Sequence, residues 1–365
     1  MPAKNRILPA LAATLVMFAG ATTALAQELT KEEQRERALS RLTLDPRDET
    51  NAALHYYRIM CVPFGEAATL VGERRTTDDW IPDAETAKAL ENEQGTLVQF
   101  IRASKLKECA WGTAYFTDGF EALLPALGKM RSAARMLSAD ARRLASQGES
   151  RQAAERIAAM YRISDHVSRE QILIGSLVGV AITAMANGEV KFLMDKGWLD
   201  SEGQALIVGA AQQARAGDFH MKDALATERM IVDDWFRRVI RRPDAAEKLR
   251  EYTSMEGEDA TKIDALLAMS PAALGKELDE ALKFYDDAGA AFYQPDGEAL
   301  LKTLSADVAA GRYGLFGSIF CPAFEKCRAS WGKGMTGIDE TIKLLGGAPA
   351  SGADTKGQTK PDGKK

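Results

Sequence analysis

The chain has 365 residues, with 47 Lys and Arg, 52 Asp and Glu and three His, for a formal net charge of −5. An apolar share of 46% with 27% charged residues excludes wholesale disorder, and the acidic balance speaks against a nucleic-acid partner. Aromatics make up only 7%, while Ala, Leu, Glu, Lys and Arg are plentiful, so helix is favoured over sheet.

Residues 1–26 have the parts of a secretory signal peptide: Lys4 and Arg6, an apolar run from Ile7, and Ala24-Leu25-Ala26 before Gln27. Cleavage there leaves 45 basic and 52 acidic residues, a charge of −7. The mature chain then starts with a charged amphipathic stretch, 29–42. Asn51 to Met60 is predicted as a short helix stopped by Pro63, and 65–82 as a polar loop. Two helical stretches follow between 83 and 107. Residues 109–119 (CAWGTAYFTDG) are the least helical part of the first half.

A long helix is expected over 120–147, with Pro125 suited to a first turn and Gly148 to a stop. The next helix, to about Val167, has Ser150 as a candidate cap. Residues 171–188 carry no charge over 18 positions and include Gly175 and Gly179 in a GxxxG. A membrane span has that length, but Gln171, Ser176, Thr183 and Asn187 favour a central buried helix, so no span is expected in the mature chain. Further helices are predicted at 200–214, 218–241, 244–253, 271–293, 297–310 and about 322–345, with a Gly-rich break at 311–317. No strand pattern occurs. The expected class is all-α: packed αα-hairpins, in part tetratricopeptide-like through Ala141, Leu144, Gly148 and Ala153, or an irregular helical array. The expected divisions are a signal peptide (1–26), an N-terminal helical domain (27–242), a C-terminal helical region (243–345) that is separate or continuous with it, and a disordered tail (346–365).

Export changes how the cysteines read. Four of them, Cys61, Cys109, Cys321 and Cys327, suggest disulfides, with Cys61–Cys109 and Cys321–Cys327 favoured as sequence neighbours beside helix breaks. His55, His166 and His220 are not at ligand spacings, and HExxH, GxSxG and Walker A motifs are missing, so no metal, cofactor or catalytic residue is assigned. Two places stand out. Trp111, Tyr115 and Phe116, near Tyr56 and Tyr57, form a candidate binding surface, the alternative being a hydrophobic plug. Glu228, Arg229 and Asp233 form a candidate buried ion-pair group, Asp233 lying four residues after Arg229.

NAALHYYR (51–58), Cys-Ala-Trp-Gly (109–112), the block LLPALGKMRSAARMLSADARRLASQGESRQAAERIAAM (123–160), LIGSLVGVAI (173–182) and Glu228-Arg229 together resemble an uncharacterised family of exported, all-helical bacterial proteins. The resemblance covers roughly 50–240. It implies a helical fold and no catalytic residues. The expected function is an exported scaffold or binding protein of the cell envelope, its partner a protein or an envelope component. The alternative is a hydrolase of an envelope polymer, with carboxylates converging from separate helices.

Overall fold

Apolar residues at steps of three and four, punctuated by Gly and Pro, dictate a succession of helices. The computed structural model describes residues 50–75, 77–119, 122, 124–254 and 260–347, all within the unit Leu42–Lys365. The expected signal peptide, the stretch 29–42 and the tail beyond residue 347 lie outside the described residues. Among the described residues there is no strand, only an isolated parallel bridge between Asn51 and Glu108. The protein is all-α.

α1 (Ala52–Met60) is capped by Asn51, whose Oδ1 accepts from the Ala53 N–H at 3.1 Å. α2 (Glu66–Arg74) stands where a loop was expected. Its buried residues, Ala67, Leu70 and Val71, make a stripe too short to register among polar neighbours. α3 (Ala84–Asn92) starts at Asp83, whose Oδ1 accepts from Thr86 N–H at 2.8 Å, and α4 (Gln94–Ser104) follows after one residue. α5 (Tyr115–Asp118) is a single turn.

α6 (Pro125–Ser146) begins with Pro125 in its first turn, where a missing N–H costs nothing. It ends at Gly148, whose φ of +83° lets the Glu149 N–H reach back to the Leu144 carbonyl at 3.0 Å. α7 (Ser150–Ser168) returns alongside it. Ser150 lies inside this helix, and its Oγ accepts from the Asp200 N–H at 2.9 Å, joining two helix starts. α8 (Leu173–Asp195) and α9 (Ser201–Gly217) complete the group, and α7 packs against α6, α8 and α9. The sequence favours 171–188 as the innermost helix, but α7 is the more enclosed, because Ala153, Ala154, Ala158 and Ala159 admit neighbours on several sides. Among the described residues α8 is the one helix long and apolar enough to cross a membrane, and half of its apolar window is buried within the protein.

The second half comprises α10 (Met221–Val239), α11 (Ala245–Ser254), α12 (Ala260–Leu267), α13 (Pro271–Phe292), α14 (Gly297–Ala309), α15 (Gly314–Phe320) and α16 (Phe324–Leu344). α12 was not foreseen. Two hydrophobic clusters result. The first draws on 52–219, rich in Ala and Met; the second, on 221–327 together with Leu173, is aromatic, with Trp235, Phe236, Phe284, Phe292, Phe316 and Phe324. α16 belongs to both: Phe324 and Cys327 lie in the second cluster, Met335, Ile338 and Ile342 in the first.

The expected disulfides are not formed; all four cysteines are free. Cys61 is the exposed C-cap of α1. Cys109 is held at the other end of that helix, because Asn51 bonds both the N–H (2.9 Å) and the carbonyl (3.0 Å) of Ala110. A nine-residue helix is about 14 Å long, and a disulfide needs Cα atoms within about 7 Å. Cys321 packs against Gly317 of its own helix, while Cys327 faces the second cluster from the start of α16. Burial pushes their thiols up, to about 12 and about 11. One thiol, Cys61, is therefore expected to react with a thiol reagent in the native protein, and all four after unfolding without reductant. Two unreactive thiols in the unfolded chain would restore a pairing.

The GxxxG glycines serve close packing. A Cβ on Gly179 would sit 2.0 Å from Ser168 Oγ and 2.9 Å from the Ser164 carbonyl. Gly179→Leu is expected to destabilise by about 1–3 kcal/mol or more. Gly188, on the same helix, has nothing within 4 Å, so Gly188→Ala is expected to stabilise by about 0.5–1 kcal/mol. Denaturant melts of the two variants check both signs.

Candidate functional site

The turn between α7 and α8 gathers the chemistry of the molecule. α7 closes on Asp165-His166-Val167-Ser168, Arg169 and Glu170 form the turn after it, and Gln171, at φ +58°, reverses the chain into α8. His166 is fully buried: its Nε2 contacts the Leu106 carbonyl at 3.0 Å and its Nδ1 the Tyr56 hydroxyl at 2.9 Å. A carbonyl only accepts, so Nε2 carries the proton and Nδ1 accepts from Tyr56. Burial, then the Arg169 charge, push its pKa down to about 4 and keep the ring neutral. Glu170, also buried, accepts from the hydroxyls of Thr113 and Tyr115, the latter at 2.7 Å; burial raises its pKa. Burial pushes Asp165 up too, but a hydrogen bond from His220 (3.0 Å) and the Arg169 charge (2.8 Å) outweigh it and hold the carboxyl below its ordinary range.

His220 reaches Asp165 from a strained segment. Asp218, Phe219 and His220 have φ of +52°, +51° and +48°, a left-handed turn between α9 and α10 built without glycine. Each such residue costs about 1–2 kcal/mol, and each is tied down. Asp218 accepts from Trp331 Nε1 and the Tyr293 hydroxyl, both at 2.8 Å; Phe219 is buried against α16; His220 meets Asp165.

The aromatic residues singled out in sequence do come together, but as a plug. Trp111 and Tyr56 are buried and stacked, with centroids 5.8 Å apart, and Trp111 Nε1 donates to the His166 carbonyl at 2.8 Å. Tyr115 is buried, and Phe116 packs beside it. Only Tyr57 faces a cavity, a hollow of about 500 Å³ lined also by Gly112, Thr113, Ala114 and Asp118. The reading of all five as a binding surface is corrected: indole and phenol rings this apolar bury themselves once a helix covers them. A second hollow, about 430 Å³, lies between the end of α4, α7 and α9 and is lined by Ser104, Lys105, Leu106, Lys107, Arg162, Arg169 and Gln213.

The group Glu228, Arg229 and Asp233 divides. Arg229 bonds Asp286 on α13 at 2.5 and 3.0 Å and Asp233 only at 3.9 Å, while Asp233 pairs with Arg237 at 2.5 Å. A partner across a helix interface fits the guanidinium fork better than one a turn along. Glu228 joins neither pair. Its Oε2 accepts from the Leu173 N–H at 3.3 Å, and it lies within electrostatic reach of Tyr115, so Tyr115 stands near both Glu170 and Glu228. Trp111 is held at the His166 carbonyl, and Glu170 and Glu228 line neither hollow described above. Among the described residues no group of His, Cys, Asp and Glu is arranged to hold a metal. Sequence reading missed Asp165, Arg169 and Glu170; the available signal was a run of charges on every face of an Ala-rich helix, which leaves some of them inside.

Comparison with family models, with curated proteins and with solved structures gave no match to this chain.

Burial pushes the Glu228 carboxyl up to about 7, with only the Leu173 N–H opposing. A carboxyl raised on folding holds a proton that the unfolded chain has lost, so stability falls as pH rises from about 4.5 through 7. Glu228→Gln is expected to match wild type near pH 4 and to exceed it at pH 8 by about 1–3 kcal/mol, the lower values reflecting the side chain's partial exposure. Urea melts at the two pH values decide it; a variant no more stable at pH 8 would mean the carboxylate is well solvated.

Proposed function

We propose that this chain is an exported helical binding protein of the cell envelope, in which the α7–α8 turn is a rigid support and the hollows beside it are where a ligand is held. The observation that carries the reading is the division of labour at that turn. Both carboxylate oxygens of Asp165, both ring nitrogens of His166 and Oε1 of Glu170 are engaged with neighbouring helices and loops, while of the two hollows beside them one is lined by four cations and the other by Tyr57, Asp118 and loop residues. Engaged, shielded groups suit a scaffold; an acid–base centre would present them to a substrate. The charge-free stretch of α8 is read as a packing helix, since Glu189 further along it is fully buried among arginines of the same protein.

A second reading, a hydrolase of an envelope polymer, is favoured by one observation: Glu170 and Glu228, both with raised pKa, stand near Tyr115. One experiment separates the two. Full-length protein is expressed with its first 26 residues, and the exported product is analysed by mass and incubated with isolated envelope. The expected outcome is a product starting at Gln27 that co-sediments with envelope and releases no soluble fragments. Fragment release abolished by Glu170→Gln or Glu228→Gln would instead establish the hydrolase, and retention of the intact N-terminus would overturn the export reading.

A further inference from the structure

The hollow between α4, α7 and α9 is positive on a negative protein. Lys105, Lys107, Arg162 and Arg169 line it and no carboxylate does, although the whole chain carries −5. Such a concentration is costly unless something offsets it.

The helix end beside it would ordinarily repel an anion, since the last carbonyls of α4 carry partial negative charge. Those carbonyls are already engaged. Ile101 accepts from Ser104 Oγ at 2.8 Å, and Arg102 and Ala103 accept from the Lys105 and Leu106 N–H groups, both at 3.1 Å. Leu106 accepts from the neutral His166 at 3.0 Å, and Lys107 accepts from Arg169 Nη1 at 2.6 Å. The buried acid that meets Arg169, Asp165, is likewise taken, by Arg169 and His220. The polar chemistry left over is cationic.

Two guanidinium groups supply it from one face of α7, seven residues apart. Arg169 is fixed by Asp165 and the Lys107 carbonyl, yet its buried Nε has no hydrogen-bond partner. Arg162 is partly buried and makes no ion pair or hydrogen bond among the described residues; burial lowers its pKa, and Glu155 acts on it only at range. An arginine held beside a hollow without a protein partner keeps its guanidinium donors available to a ligand. The exposed Lys105 and Lys107 stand at the rim.

We propose that this hollow binds a phosphate group, carried by a small soluble ester or by a lipid headgroup; the proposal rests on the binding-protein reading above and names the ligand class. Guanidinium forks match the oxygens of phosphate in pairs, and four cations suit a dianion better than a single carboxylate. The volume of about 430 Å³ admits a small organic phosphate. No aromatic ring lines the hollow for base stacking, and the chain's net charge opposes a nucleic acid.

The test is calorimetric titration of the full exported chain with inorganic pyrophosphate at low salt. Saturable binding is expected. It should weaken about tenfold or more in Arg162→Gln, which removes no hydrogen bond or ion pair among the described residues, and about two- to fivefold in Lys107→Gln. It should be unchanged in Arg151→Gln, whose partner is the exposed Glu202. Unaltered circular dichroism confirms that each variant is folded. Absence of binding, binding indifferent to Arg162→Gln, or equal affinity for citrate would overturn the proposal. Competition by phosphatidylglycerol vesicles assigns the phosphate to a headgroup, and its absence to a soluble ester. If envelope co-sedimentation persists while pyrophosphate does not bind, this proposal falls and the binding-protein reading stands.

Discussion

Two carboxylates buried in the helical core, each held by arginines, are the constraint around which the first half is built. Glu189 on α8 is fully buried; its Oε2 accepts from Arg142 Nε at 2.5 Å, and its Oε1 from Ser138 Oγ at 2.9 Å and Arg75 Nη2 at 2.5 Å. Arg142 continues to the carbonyls of Asp78 and Trp80, at 2.6 and 2.7 Å, and lies 3.9 Å from the centre of the Phe192 ring. Asp140, one turn-face away on α6, takes Arg143 at 2.8 Å, Arg156 at 2.9 Å and Gln94 at 3.0 Å. Four helices and the residues Arg75, Asp78 and Trp80 therefore meet through two anions. Removing one partner of such a network leaves an uncompensated charge, at a cost of about 3–5 kcal/mol.

That fixed frame lets α7 present its last two turns as a platform. The same arginine-and-carboxylate chemistry reappears there in a form closer to the surface: Asp165 with Arg169 and His220, Glu170 with Thr113 and Tyr115. Where the core spends every guanidinium on a carboxylate, the edge of α7 keeps Arg162 and one nitrogen of Arg169 unspent. The contrast between matched charges inside and unmatched charges beside a hollow is what gives the molecule a direction. The left-handed 218–220 turn belongs to the same arrangement, since its three side chains tie α7 to α13 and α16 and offset its backbone strain.

α16 joins the two hydrophobic clusters. Its first turns pack with the aromatic side chains of the second cluster and its later turns with the Ala- and Met-rich first. Long-range closure of this kind costs loop entropy and is repaid only when both clusters have formed. The C-terminal helix is therefore part of the frame that holds the strained turn, through Trp331 and its bond to Asp218.

By itself the sequence determined the helical class, because apolar spacing, caps and stops are local properties: Asn51, Pro125, Gly148 and Ser270 act within a few residues of where they stand. It also marked Trp111, Tyr115 and Glu228 as unusual. It gave no sign of α2, whose three-residue stripe means something only beside α6. It suggested disulfides from an even count, though the cysteines' directions depend on which end of α1 each one meets. Above all it left charges such as Asp140, Arg142 and Glu189 indistinguishable from solvated ones. Whether an arginine is matched, as Arg142 is, or left facing a hollow, as Arg162 is, depends on what distant helices bring to it, and only tertiary structure decides that.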